Sequence, residues 1–370
     1  MSEVLVIGAG AVGLATAEGL LRTGAAVTVL ERGGVGREAS WAGGGILSPL
    51  CPWDYPEEVT RLALHSMALF EPWAQCLHYE TGIDPEYDHC GMRVLPPFDL
   101  ELARQWCVAH GVVCLPLPDE ITSDLPACGL SRLASSSIRG TKGEGEALFL
   151  PAVAQVRNPR LLQAMRAQVL RLGGRIVEQC VVERIVANGG RVTGLQTARG
   201  IFSAEDYVVT AGAWSKVLLG EHALQADIKP IRGQMLLFKF AAPPLPHILL
   251  QSDLYFIPRR DGHLLVGSTV EDVGFDKSTT MEARAMLLRR AVALLPALRD
   301  RLIVKHWAGL RPGSPANIPT IGRHPVLPNL YLNSGHFRYG VTMAPASVEV
   351  LLNEMNGTPQ PFDVSPYRWC

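Results

Sequence analysis

The sequence predicts an α/β protein in which a parallel-sheet unit is interleaved along the chain with an antiparallel-sheet unit. Three observations carry this reading. A strand, glycine turn, helix and second strand open the chain. Another strand runs into a glycine turn at residues 206–212, and short strands separated by turns fill residues 228–270. At about 150 residues per domain, a chain of 370 residues suggests two domains with a sizeable core. Apolar types make up 48% and charged types 19%, and 34 basic residues face 35 acidic ones. That balance excludes a disordered chain and a basic nucleic-acid binder, so no nucleic-acid partner is expected.

Val4-Leu-Val-Ile7 is a short apolar run with β-branched residues, the pattern of a buried parallel strand. Gly8-Ala-Gly10-Ala-Val-Gly13 follows, then a helical stretch from Leu14 to Arg22 that stops at Thr23-Gly24. Ala26 to Leu30 reads as the second strand and ends at Glu31. Gly8 permits the tight turn, Gly10 lets backbone approach a pyrophosphate, and Gly13 lets helix and strand pack closely. The helix N-terminus offers free N–H groups and partial positive charge to phosphates. Glu31 stands where a carboxylate accepts bonds from ribose hydroxyls, which disfavours a 2′-phosphate. The unit is a dinucleotide site, and by itself it does not separate NAD from FAD. Residues 31–49 then bring three consecutive glycines, Gly43 to Gly45, which suit backbone pressed against a flat ligand.

Helical patterns cover Glu57–Glu80, Glu101–His110, Arg160–Arg171 and Met281–Leu295. Arg175–Val186 and Arg191–Thr197 read as strands joined by the hairpin signal Asn188-Gly-Gly190. Gln234–Phe240, Asp253–Pro258 and His263–Gly267 read as an antiparallel sheet. Eight cysteines, Cys51, Cys76, Cys90, Cys107, Cys114, Cys128, Cys180 and Cys370, have no CxxC spacing and read as free thiols. No metal site is expected, since no Cys/His cluster occurs. The uncharged run Val4–Ala17 is shorter than the roughly 18 residues of a membrane span. With no basic leader before it, the expected location is the cytoplasm.

Two C-terminal segments carry unusual chemistry. Trp307-Ala-Gly-Leu-Arg311-Pro-Gly-Ser-Pro315 is followed by Ile321-Gly-Arg-His-Pro325. Tyr331 to Pro345 contains Gly335-His-Phe-Arg338-Tyr-Gly340-Val and ends at a position where Pro suits the first turn of a helix. With the N-terminal unit, residues 31–49 and Val208-Val-Thr-Ala-Gly-Ala-Trp-Ser215, these segments resemble the D-amino-acid oxidase family of flavoproteins. Within it they are most similar to the glycine oxidases of thiamine biosynthesis, over nearly the whole chain.

The resemblance implies an α/β fold with an α+β lid: a Rossmann-like FAD-binding domain interleaved with an antiparallel-sheet substrate domain. On this reading residues 1–80, 150–225 and 306–370 form the FAD-binding domain, and 81–149 and 226–305 the substrate domain. It implies non-covalent FAD, a homo-oligomer, often a homotetramer, and a small amino acid and dioxygen as partners. Ala11, Val12, Glu31, Arg32, Ala39, Ser40, Gly44, Gly45 and Ile46 would contact FAD, with Val182 at the adenine end. His336, Phe337, Arg338, Tyr339, Gly340, Val341 and Thr342 would line the flavin's pyrimidine edge. Arg311, Arg338 and Tyr255 would bind substrate, and a guanidinium suits a carboxylate on chemical grounds alone. Asp253 replaces the His that relatives can carry and would sit near the substrate amine or the lid. The implied activity is oxidation of glycine, and possible substrates include sarcosine and small D-amino acids. A D-amino-acid dehydrogenase passing electrons to a quinone, or a sarcosine-oxidase-like enzyme, shares parts of the pattern. A non-catalytic flavin-fold binding protein is the remaining alternative.

Overall fold

A computed structural model describes residues 2–117 and 146–370. Cys128 and much of the first substrate-domain segment lie outside the described residues. The chain forms two large sheets. One has six strands in the order β18 (Thr320–Arg323), β19 (Leu330–Ser334), β12 (Asp206–Val209), β1 (Glu3–Ile7), β2 (Ala26–Leu30) and β8 (Arg175–Val177). All neighbours run parallel except the edge pair β18–β19. Both faces are covered, which is why Val4-Leu-Val-Ile7 is apolar throughout. Val4 and Val6 pack towards helices α1 (Ala11–Arg22), α3 (Glu57–Thr81), α5 (Asn158–Arg171) and α8 (Ala344–Asn356). Leu5 and Ile7 pack towards a small sheet of β9 (Val182–Asn188), β10 (Arg191–Thr197) and β11 (Gly200–Phe202).

The second sheet has eight strands. Their order is β17 (Lys305–Gly313), β13 (Lys229–Lys239), β16 (His263–Gly267), β15 (Leu254–Pro258), β14 (Ile248–Gln251), β4 (Met92–Leu95), β6 (Ala147–Leu150) and β5 (Leu115–Leu117). It is antiparallel apart from the parallel pair β14–β4. Helix α7 (Met281–Leu294) covers one face through Leu287 and Ala291. The other face presents Met235, Tyr255 and Ile257, and with them Trp53 below helix α4 (Leu100–Ala109). A short ladder joins β3 (Ile46–Leu47) to β7 (Ala154–Gln155).

Two expectations change. Arg175–Val186 is not one strand: β8 completes the edge of the parallel sheet, Gln179 turns with φ +53°, and β9 starts a separate sheet. The domain boundary at 305/306 also moves. Residues 305–313 pair with β13 over nine positions, from Leu237 opposite Lys305 to Lys229 opposite Gly313. The chain therefore returns to the dinucleotide sheet only after Gly313, and the site arginine of that segment belongs to the substrate sheet.

Candidate active site

One cavity of about 390 Å³ runs from the glycine turn of the six-stranded sheet to the inner face of the eight-stranded sheet. At its first end Gly8 takes φ +110°, and a Cβ there would come 2.7 Å from the Thr210 carbonyl oxygen. A Cβ on Gly13 would overlap the Gly8 carbonyl, so the helix can press on the turn only as glycine. The Thr210 hydroxyl donates to the Ile7 and Gly8 carbonyls, each at 3.0 Å, and ties β12 to the turn. Glu31 is 6% exposed, and its two oxygens accept the Ala9 and Gly33 N–H groups, each at 2.8 Å. Ser40, in helix α2 (Ala39–Ala42), accepts the Ala11 N–H at 2.9 Å. The Arg32 guanidinium lies over the Trp214 ring at 4.5 Å.

At the other end Arg311 stands on β17 and Tyr255 on β15, while Arg338 projects from the loop between β19 and α8. The Arg311 guanidinium lies against Gly233 of β13, where a Cβ would overlap it. Its Nη1 donates to the Thr269 carbonyl at 3.0 Å and its Nη2 to the Ser268 hydroxyl at 2.6 Å. These acceptors are neutral. Burial pushes the Arg311 pKa down, the Tyr255 hydroxyl opposes this, and the Arg338 charge adds to the lowering. Two guanidiniums thus line one space with, among the described residues, no carboxylate hydrogen-bonded to Arg311, an arrangement that favours an anion.

The loop carrying Arg338 is pinned at both ends. The Phe337 N–H donates to the Pro312 carbonyl at 2.8 Å, and Phe337 itself takes φ +47°. The Thr342 hydroxyl donates to the Ile46 carbonyl at 3.0 Å, and α8 follows with Pro345 in its first turn. Within this loop His336 is buried, and burial alone pushes its pKa down to about 3, so the imidazole is neutral. Burial likewise raises the Tyr339 phenol well above its ordinary range. Among the described residues several buried polar atoms of the cavity's lining have no partner, namely Asn333 Oδ1 and Nδ2, Asn158 Oδ1, His336 Nε2 and Arg338 Nε.

Most residues expected at the site line this cavity. They include Gly8, Gly10, Ala11, Val12, Glu31 and Arg32 from the first unit, and Ala39, Ser40, Gly44, Gly45 and Ile46 from the next. Val182, the stretch His336 to Thr342, Tyr255 and Arg311 complete the set. Gly13 does not line the cavity; it acts from inside α1, as described. Asp253 is a correction. Its side chain is 50% exposed, lies outside the cavity lining and pairs with Arg290 of α7 at 2.5 Å. The β14–β15 turn, with Ser252 at φ +55°, breaks the alternation that would have put Asp253 on the Tyr255 face. Sequence reasoning missed Gly233 of β13 and Ser268 and Thr269, just after β16, which hold Arg311. No local motif marks them, because strand register alone brings them together.

The residues fit a flavin dinucleotide. Glycines replace side chains along the cavity wall: a Cβ on Gly44 would overlap Ile257, and one on Gly45 would overlap the Val156 carbonyl. Unpartnered polar atoms of Asn333, His336 and Arg338, all of them cavity-lining residues, offer partners to a polar ring edge. A dinucleotide-binding sheet and a substrate sheet that share one cavity define a cofactor-dependent oxidoreductase. The chain belongs to the FAD-dependent oxidoreductase family, whose model matches residues 3–353. It is 44% identical over 370 residues to a glycine oxidase of Pseudomonas aeruginosa, covering 99% of this chain and 98% of that one. It is 32% identical to the bifunctional protein ThiO/ThiG of a Nostoc species, covering 94% of this chain and 52% of that protein. The crystal structure of glycine oxidase from Geobacillus kaustophilus superposes with a TM-score of 0.91 at 24% identity, over 100% and 99% of the two chains. Among the described residues no helix is long and apolar enough to cross a membrane.

Proposed function

We propose that this chain oxidises glycine, with sarcosine and small D-amino acids as further candidates. The observation that carries the reading is Arg311, half-buried in the cavity with Tyr255 and Arg338 and bonded, among the described residues, to neutral oxygens. Arg311 takes the substrate carboxylate with two parallel bonds, and Tyr255 and Arg338 bound the space left for a small side chain. FAD, held by the glycine turn, Glu31 and the loop from His336 to Thr342, would supply a two-electron acceptor for the α-hydrogen, with dioxygen as the final oxidant. His336, neutral and buried, is a structural member of the loop rather than a base. The first turn of α8 directs its partial positive charge towards the same loop. Water then hydrolyses the imino acid, so glycine, water and dioxygen yield glyoxylate, ammonia and hydrogen peroxide. The similarity to a glycine oxidase at 44% identity over the full chain supports this reading. The similarity to a ThiO/ThiG protein supports a place in thiamine biosynthesis, and the family resemblance supports a cytoplasmic homo-oligomer.

Anaerobic mixing with glycine is expected to bleach the visible flavin band, and admitting dioxygen to restore it with one peroxide per glycine. No bleaching by glycine would overturn the substrate assignment. Bleaching without peroxide on aeration would move the enzyme to the dehydrogenases.

A further inference from the structure

Arg259 follows β15 directly and is 4% exposed. Its Nη1 donates to the Gln155 side-chain oxygen at 2.7 Å and to the Val156 carbonyl at 2.9 Å. Its Nη2 donates to the Gly44 carbonyl at 2.6 Å. All three acceptors are neutral. The nearby carboxylates are engaged elsewhere: Glu86 pairs with Arg157 and Arg160, and Asp261 with Arg157 and His263. Burial, and then the Arg157 charge, push the Arg259 pKa down to about 10, which still leaves a full cation at neutral pH. A buried charge with no counter-ion in direct contact among the described residues is costly and therefore asks for a function.

Gly44 connects this cation to the cavity. It lies on the cavity wall, and a Cβ there would come 3.4 Å from the Tyr255 ring. In a planar trans peptide the carbonyl and the next N–H point in opposite directions. A Gly44 carbonyl turned to Arg259 therefore turns the Gly45 N–H away from it. The Gly45 carbonyl is fixed as well, by the Val156 N–H at 2.9 Å.

We propose that Arg259 is a positioning residue for the bound flavin. It locks the Gly44–Gly45 peptide of the cavity wall and sets an unneutralised positive charge behind that wall. Reduction adds negative charge to the flavin ring, so this charge favours the reduced form. The inference rests on membership of the FAD-dependent family and not on the identity of the amino-acid substrate.

The test equilibrates the FAD-loaded enzyme anaerobically with a two-electron redox dye, without any amino acid. It reads the ratio of reduced to oxidised FAD at a fixed dye ratio. Arg259→Gln is expected to lower that ratio about tenfold, which is about 30 mV for a two-electron couple. Gln155→Glu places a carboxylate against Nη1, giving up the amide's bonds to Asp88 and Cys90 while Arg259 keeps its own, and is expected to lower the ratio at least threefold. A merely structural arginine would cost thermal stability and leave the ratio unmoved. Should Arg259→Gln fail to load FAD, Gln155→Glu decides alone. A ratio within threefold of wild type in a loaded Arg259→Gln, or in Gln155→Glu, overturns the proposal.

Discussion

Arg232 is neutralised by Glu271 and Asp276, and Arg157 by Glu86 and Asp261, whereas Arg311 ends on a hydroxyl and backbone carbonyls. On the proposed reading its electrostatic partner is the substrate carboxylate. Removing one member of such a desolvated pair costs about 2–5 kcal/mol, or roughly 30- to 5,000-fold. Arg311→Met is therefore expected to raise KM for glycine by that order with FAD still bound. An amine lacking the carboxylate should lose far less. If kcat/KM for glycine stays within threefold, the anchor is Arg338 instead. His336 makes a prediction about stability. Its folded pKa of about 3 lies below the ordinary 6.5. Between those values the unfolded chain binds a proton that the folded chain refuses. Its part of the stability is thus complete above pH 6.5 and falls as the solution is acidified towards about pH 3, by at most about 1.4 kcal/mol per pH unit. His336→Gln should flatten the fall in unfolding free energy from about pH 6 to about pH 4. Equal slopes for the two proteins would show that the imidazole is protonated in the fold.

At the scale of elements, the β13–β17 ladder joins the two halves of the site. Gly233 and Gly309 are opposite each other in it. A Cβ on Gly233 would overlap the Arg311 guanidinium, while one on Gly309 would overlap Ala42 of α2. Gly233→Ala should cut kcat/KM for glycine at least tenfold with FAD retained, on the scale of one displaced charge contact. Gly309→Ala should weaken FAD binding first. Equal effects on both measurements from both variants would mean that the ladder simply loosens. This pair also shows the limit of what was legible in the sequence. The dinucleotide unit could be read because strand, turn, helix and acid are contiguous, whereas Arg311 and Arg338 were singled out by the family resemblance of the segments that carry them. Gly233, Ser268 and Thr269 could not be read, since their meaning comes from register between strands distant in sequence. The expectation for Asp253 came from the resemblance alone, and the turn at Ser252 carries that side chain to Arg290 instead.

For the whole molecule, the cavity takes walls from both large sheets, so cofactor and fold are linked. Among the described residues Cys180 is the cysteine that lines it, at the turn between β8 and β9, and the segment Gly309–Pro315 contains none. Acid precipitation should accordingly release all the FAD into the supernatant, and yellow colour left in the pellet would refute non-covalent binding. The route of the chain has a further consequence. It visits the six-stranded sheet up to Leu30, the eight-stranded sheet from Met92 to Leu150, the first again from Arg175 to Val209, the second from Lys229 to Gly313, and the first once more from Thr320. No single crossover between two genes can exchange one sheet whole. A recombinant carrying a relative's substrate sheet needs two separate inserts, spliced before Met92 and after Leu150 and again around Lys229 to Gly313. Any one-cut chimera joined between Ile7 and Leu330 would instead part β12 from β1 or from β19, with the two strands coming from different parents.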